Sequence, residues 1–103
     1  MVVVDESMLP TLRPGDRLLV DPTAYHRRLP EVGDIVVLSD PEGKVRWLVK
    51  RVNRVDSVVG TLEVLGDAGA PARDSRGFGP VPIRSVVGRA YWRYFPPERR
   101  GEL

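Results

Sequence analysis

Apolar residues along this chain come in short β-branched runs cut by turn residues, and nowhere as a helical stripe. The runs VVVD, DRLLVD, DIVVLSD, RWLVKRVNRV, TLEVLGD and VVGRAYWRYF alternate with RPG, LPEVG, DPEG, GDAGAP and RGFGP. Runs of this length bounded by Gly, Pro and Asp read as strands. No segment sustains a helical period for three turns. Ten glycines and ten prolines are spread over the whole length, so they punctuate strands and do not mark one linker. The pattern predicts an all-β fold of curved, mainly antiparallel strands closing on itself. DPEG has hairpin length and predicts that DIVVLS pairs with KVRWLVKRV. RPGD and EVGD each put Gly-Asp before a strand: the glycine takes the positive φ of a tight turn and the aspartate holds backbone amides.

Length and composition narrow this further. The chain has 103 residues, enough for one core, so residues 1–96 are expected as a single domain and 97–103 as a frayed tail. No apolar run approaches a membrane span, and Met1–Val4 is too short for a signal-peptide core. Cytoplasmic location follows as the expectation, with membrane association if an N-terminal anchor was trimmed. There is no cysteine and one histidine, His26, in a polar connecting stretch. Disulfides, thiolate chemistry and a metal centre are therefore not expected, and neither is a cofactor. Net charge is +2, but the arginines are scattered without aromatic interleaving, so nucleic acid is not an expected partner.

Two residues could carry chemistry. Ser7 lies in ESMLPTL, where Pro10 removes a ladder donor and biases Leu9 to extended geometry, so the strand of Val2–Val4 should stop near the serine. A hydroxyl there can face a groove with backbone amides close by, or it can satisfy a local amide as an ordinary turn serine. A serine nucleophile needs a base. Lys50, in the most apolar long run, shares a face with Leu48 and Val52 by period two. It either snorkels to solvent or is desolvated into a usable free amine. Only two lysines accompany fourteen arginines, and arginine cannot release its proton.

SMLPTLRPGDRLLV, VGDIVVL, LVKRV and VLGD followed by DSRGFGPV, in that order, resemble the box series of type I signal peptidases, serine proteases with a Ser-Lys dyad. The resemblance covers residues 3 to 95. It implies a mostly antiparallel signal-peptidase-like fold, shared with SOS-repressor C-terminal domains. It also implies Ser7 as nucleophile, Lys50 as general base and the Ser7 amide as oxyanion donor. Val3, Val4, Asp5 and Met8 would form the oxyanion and substrate groove. Pro10, Gly15, Asp16, Arg51, Asp67, Asp74, Ser75 and Arg76 would support the site, with Asp74 and Arg76 as an ion pair and Gly66 and Gly79 in turns. Three departures stand out. No transmembrane helix precedes the first box. Asp5 replaces a serine that assists the oxyanion hole, so either Asp5 points away or the hole differs. Ala72 replaces a serine that orients the lysine, and Ala68 an asparagine.

The last forty or so residues, VLGD…DSRGFGPVP…VVGRAYWRYFP, are most similar to the short branch that matures nickel-type superoxide dismutase by removing its leader. The partner implied is a precursor polypeptide. Three other readings are open: a signal peptidase I catalytic domain trimmed of its anchor, a self-cleaving repressor domain, or a non-catalytic β-module keeping the scaffold.

Overall fold

The computed structural model describes residues 1–70 and 73–103. Among the described residues, seven strands form one curved antiparallel sheet: β1 (Arg17–Asp21), β2 (Ile35–Ser39), β3 (Trp47–Asp56), β4 (Thr61–Leu65), β5 (Val81–Pro82), β6 (Val86–Phe95) and β7 (Gly101–Glu102). Their spatial order is β1-β6-β2-β3-β4-β5, with β7 also on β6. One α-helical turn, α1 (Ser75–Phe78), lies between β4 and β5. The all-β expectation holds.

The punctuation works as the turn chemistry requires. β2 and β3 pair from Ile35↔Arg51 to Ser39↔Trp47, joined through the Asp40–Gly43 turn. There the Asp40 carboxylate accepts from the amides of Glu42, Lys44 and Val45. The two Gly-Asp turns are built alike. Gly15 and Gly33 have φ of 93° and 96°. Asp16 accepts from the Arg13 amide at 2.9 Å and Asp34 from the Glu31 amide at 3.1 Å.

β2 is buried on both faces because apolar clusters lie on either side of the sheet. Val36 and Leu38 join Leu48, Val52, Leu62, Val64 and Val81 on one side. Ile35 joins Val3, Met8, Leu12, Leu18 and Ala90 on the other. The second cluster holds the N-terminal loop against the sheet, which fixes where Ser7 stands.

Two expectations are corrected. Val2–Val4 forms no strand: a single bridge, Val2↔Arg17, is all that the ladder retains. The backbone N–H of Val3 donates to Asp16 and its carbonyl accepts from Gly15, after which residues 5–12 turn away. Nor is the C-terminal segment frayed. A 3-10 turn (Pro97–Arg99) leads into β7, Leu103 packs beside the second cluster, and Arg99 reaches Asp16 at 2.6 Å.

Close strand crossing adds one testable constraint. A Cβ on Gly88 would lie 2.6 Å from the carbonyl oxygen of Asp21, a backbone atom of β1. Gly88→Ala must push β1 off β6 and is expected to destabilise the fold by about 1–3 kcal/mol, read by urea denaturation.

Candidate active site

Ser7 sits in a loop of successive turns. Leu9 N–H donates to Glu6 at 3.2 Å and Leu12 N–H to Met8 at 2.9 Å. Met8 and Leu12, fully buried, anchor this loop from below. Pro10 follows Leu9 through a cis peptide bond. The loop is tied from the far side by the segment after β4. The Ala68 amide donates to the Ser7 carbonyl at 3.0 Å, and the Thr11 hydroxyl to Asp67 at 2.6 Å.

Asp67 is itself held by Arg51 of β3, whose Nε and terminal nitrogen donate to its two oxygens at 2.9 and 2.8 Å. The Arg51–Asp67 pair therefore connects the central hairpin, the Ser7 loop and the segment after β4. Asp74 and Arg76 form the expected ion pair. The fully buried Asp74 carboxylate also accepts from the Gly66 and Arg76 amides, which caps α1, while Ser75 Oγ accepts from Val64 N–H at 2.8 Å. Gly79 ends that turn with φ of 79°.

Lys50, in the middle of β3, is 1% exposed. Its neighbours on the same face are Leu48 and Val52, both in the apolar cluster. Burial pushes its pKa below that of an ordinary lysine. The carboxylates of Asp5 and Asp74 oppose this, and the guanidiniums of Arg73 and Arg76 reinforce it. Lys50 and Ser7 line one cavity of about 450 Å3, together with Asp5, Leu9, Leu48 and Arg73 among others. Two residues far apart in sequence thus face the same space, one a hydroxyl and the other an amine whose pKa burial lowers.

Other assigned positions divide. Val3 and Met8 are buried in the second apolar cluster, and both also line a small cavity of about 20 Å3 with Val4 and Asp5. Val4 is 82% exposed and, with Val2, Val45 and Trp47, lines an apolar groove of about 490 Å3. Gly15 and Asp16 lie at the base of the loop. Ala72 falls outside the described residues.

Of the two alternatives for Asp5, pointing away is not the one adopted. Its Oδ1 accepts from the Ser7 amide at 3.0 Å, so the carboxylate turns toward the Ser7 loop and not away from it. Burial pushes its pKa up. The Ser7 amide and hydroxyl, with the charges of Lys50 and Arg73, outweigh that and hold it below the usual carboxylate value.

Sequence reading missed Arg73. It lines the cavity and donates to Asp40 at 3.0 and 3.1 Å and to Glu42 at 2.8 Å. The signal was available only as an arginine beside DSR and an aspartate in a hairpin turn 33 positions earlier, with nothing to link them.

Comparison with known proteins agrees with this architecture. Residues 1–56 match the family model described as signal peptidase, peptidase S26. The mitochondrial ATP-independent inner membrane protease subunit 1b of Arabidopsis thaliana is 36% identical over 118 residues, covering 94% of this chain and 70% of the relative. A probable signal peptidase I-1 of Synechocystis is 29% identical over 143 residues, covering 98% and 73%. The probable thylakoidal processing peptidase 2 of Arabidopsis thaliana is 30% identical over 139 residues, covering 94% of this chain but 38% of its own length. Among the described residues no helix is long and apolar enough to cross a membrane. With most of its length aligned to processing peptidases and its first half matching their family model, this chain belongs to the peptidase S26 family of signal peptidases.

Proposed function

We propose that the chain is an endopeptidase with a Ser7–Lys50 dyad that removes an N-terminal leader from a precursor polypeptide, with the cytoplasm as its compartment. The observation that carries this reading is a fully buried lysine between Leu48 and Val52 lining the same cavity as a loop serine. Neutral Lys50 takes the proton from the Ser7 hydroxyl as Oγ bonds to the scissile carbonyl carbon. The Ser7 amide donates to the resulting oxyanion. Lys50 then returns the proton to the departing amine, the C–N bond breaks, and a water deprotonated by the same lysine hydrolyses the acyl-enzyme.

The outer edge of Val2–Val4 suits an extended substrate. The backbone groups of Val3 are used internally, so those of Val2 and Val4, alternating with them, face outward. The apolar groove beside Val4 favours uncharged side chains in the bound segment.

For the substrate we infer the precursor of nickel-type superoxide dismutase, on the pattern of residues 64–96. The test is mass spectrometry of two peptides incubated with the protein. One spans that precursor's leader junction and the other a signal-peptidase cleavage site. A single cut in the dismutase peptide, abolished by Ser7→Ala, is the expected result. Cutting of the signal-peptide substrate alone would keep the peptidase and discard the dismutase, and no Ser7-dependent cut in either would discard the dyad.

A further inference from the structure

We propose that Asp5 is a built-in oxyanion mimic: its carboxylate occupies the Ser7 amide that a substrate's oxyanion must use, so the resting site is closed until Asp5 turns out. The inference rests on Ser7 being the nucleophile. Oxyanion stabilisation requires an N–H aimed at the developing charge and free to be shared with it. Here that N–H already has an anionic acceptor, Oδ1 of Asp5 at 3.0 Å, two residues back in the chain.

The carboxylate has the right chemistry for such a stand-in. It carries a full negative charge on oxygen, as the tetrahedral intermediate does, and it is the acceptor an amide prefers over a neutral carbonyl. It also lines the same cavity as Ser7 and Lys50, so it stands where a scissile carbonyl would enter. The closure is reversible by geometry. Asp5 is an exposed residue whose hydrogen-bond partners, the Ser7 amide and hydroxyl, lie two residues away, short-range contacts that a side-chain rotation breaks. A substrate strand laid along Val4 reaches Asp5 next, which makes substrate binding the natural event that displaces it.

The charge has a second effect. Four charged groups act on Lys50: Asp5 from the loop, Asp74 and Arg76 from the segment after β4, and Arg73 beside them. Asp5 is the carboxylate that favours protonated Lys50 most. While it faces inward, it therefore works against the free amine, and displacing it both releases the amide donor and eases deprotonation of the base. The two effects can be separated. Asn keeps an oxygen for the Ser7 amide and removes the charge, whereas Ala removes both.

A p-nitrophenyl ester serves as the probe, because acylation of Ser7 passes through an oxyanion and needs no knowledge of the peptide substrate. The rate of p-nitrophenol release and the mass added at Ser7 are followed against pH for wild type, Asp5→Asn, Asp5→Ala and Ser7→Ala. Asp5→Ala is expected to acylate about three- to tenfold faster than wild type on the alkaline plateau, as the loss of one such hydrogen bond corresponds to that factor. Asp5→Asn should fall short of Asp5→Ala on the plateau, and both should reach half-maximal rate at lower pH than wild type. Ser7 labelled in every Asp5 form, with Asp5→Ala no faster than wild type, would overturn the mimic and leave the nucleophile standing: Asp5 would then be a positive organiser of the loop. Absence of a Ser7-dependent adduct in wild type and both Asp5 variants would overturn the nucleophile, and the mimic with it.

Discussion

Lys50→Met is expected to be inactive and yet more stable than the wild type. If Lys50 is the general base, removing it leaves Ser7 with no group to take its proton, and the rate should fall by about 10^3-fold or more. Stability moves the other way for a separate reason. Lys50 is 1% exposed between Leu48 and Val52, and no described residue forms an ion pair with it. Burying an amine there costs free energy, most of all when it is charged. Methionine fills a similar volume without that cost, and a gain of about 1–3 kcal/mol at neutral pH follows.

The pH dependence fixes the origin of the gain. The folded pKa of Lys50 is lowered, whereas an unfolded lysine titrates near ~10.4. Between those two values the unfolded chain holds more protons than the folded one, so wild-type stability rises with pH across that window. Below the folded pKa the cost is present in full, and above ~10.4 it is gone. The advantage of Lys50→Met should therefore shrink steadily as urea denaturation is repeated from neutral to alkaline pH. Lys50→Arg should be equally inactive, because a guanidinium keeps its proton, and less stable than wild type, because it buries a permanent charge. Activity within tenfold of wild type in Lys50→Met would end the dyad. A less stable Lys50→Met would mean that the ammonium is held as a structural cation.

What the sequence made legible was local. Strand positions followed from punctuation, the β2–β3 hairpin from Asp40–Gly43, and the inward face of Lys50 from its period-two relation to Leu48 and Val52. Each depends on residues within one turn or one strand. What escaped was either long-range or hidden in a common residue. Nothing in an Arg-Arg pair near the C-terminus announces that Arg99 meets an aspartate 83 positions earlier. Val2–Val4 has strand composition, but its pairing is cut to one bridge because the loop that follows must dive to seat Met8 and Leu12. Asp5 is the instructive case. An aspartate two residues before an amide can cap it whatever the family does at that position, and that local rule decided its orientation.

Asp16 should be the costliest residue to lose. It is 2% exposed, and its two oxygens accept from the Arg13 amide at 2.9 Å, Arg93 at 3.0 Å and Arg99 at 2.6 Å. Arg93 and Arg99 are themselves mostly covered, their side chains 16% and 18% exposed. Asp16→Ala leaves both guanidiniums facing each other without a counter-charge, and a loss of about 3–5 kcal/mol is expected. For a domain of this size that lowers the melting temperature by on the order of 20 °C. The exposed Arg28–Glu31 pair is the internal control: its partners are 44% and 75% exposed, and Glu31→Ala should cost less than about 1 kcal/mol. Asp16→Asn should fall between, because the amide oxygen still serves Arg13 but no longer neutralises two cations. The double variant Asp16→Ala with Arg99→Ala decides the mechanism. If the penalty is an uncompensated buried charge, removing Arg99 as well must recover part of it. An additive or larger loss would place the cost in the Gly15–Asp16 turn itself. Function should follow stability here, because Arg93 also donates to the Thr11 carbonyl at 2.8 Å, inside the loop that carries Ser7. Releasing that clamp loosens the Ser7 loop before it unfolds the sheet, so, with Ser7 as the proposed nucleophile, activity in Asp16→Asn should fall at temperatures where circular dichroism still reports a folded protein.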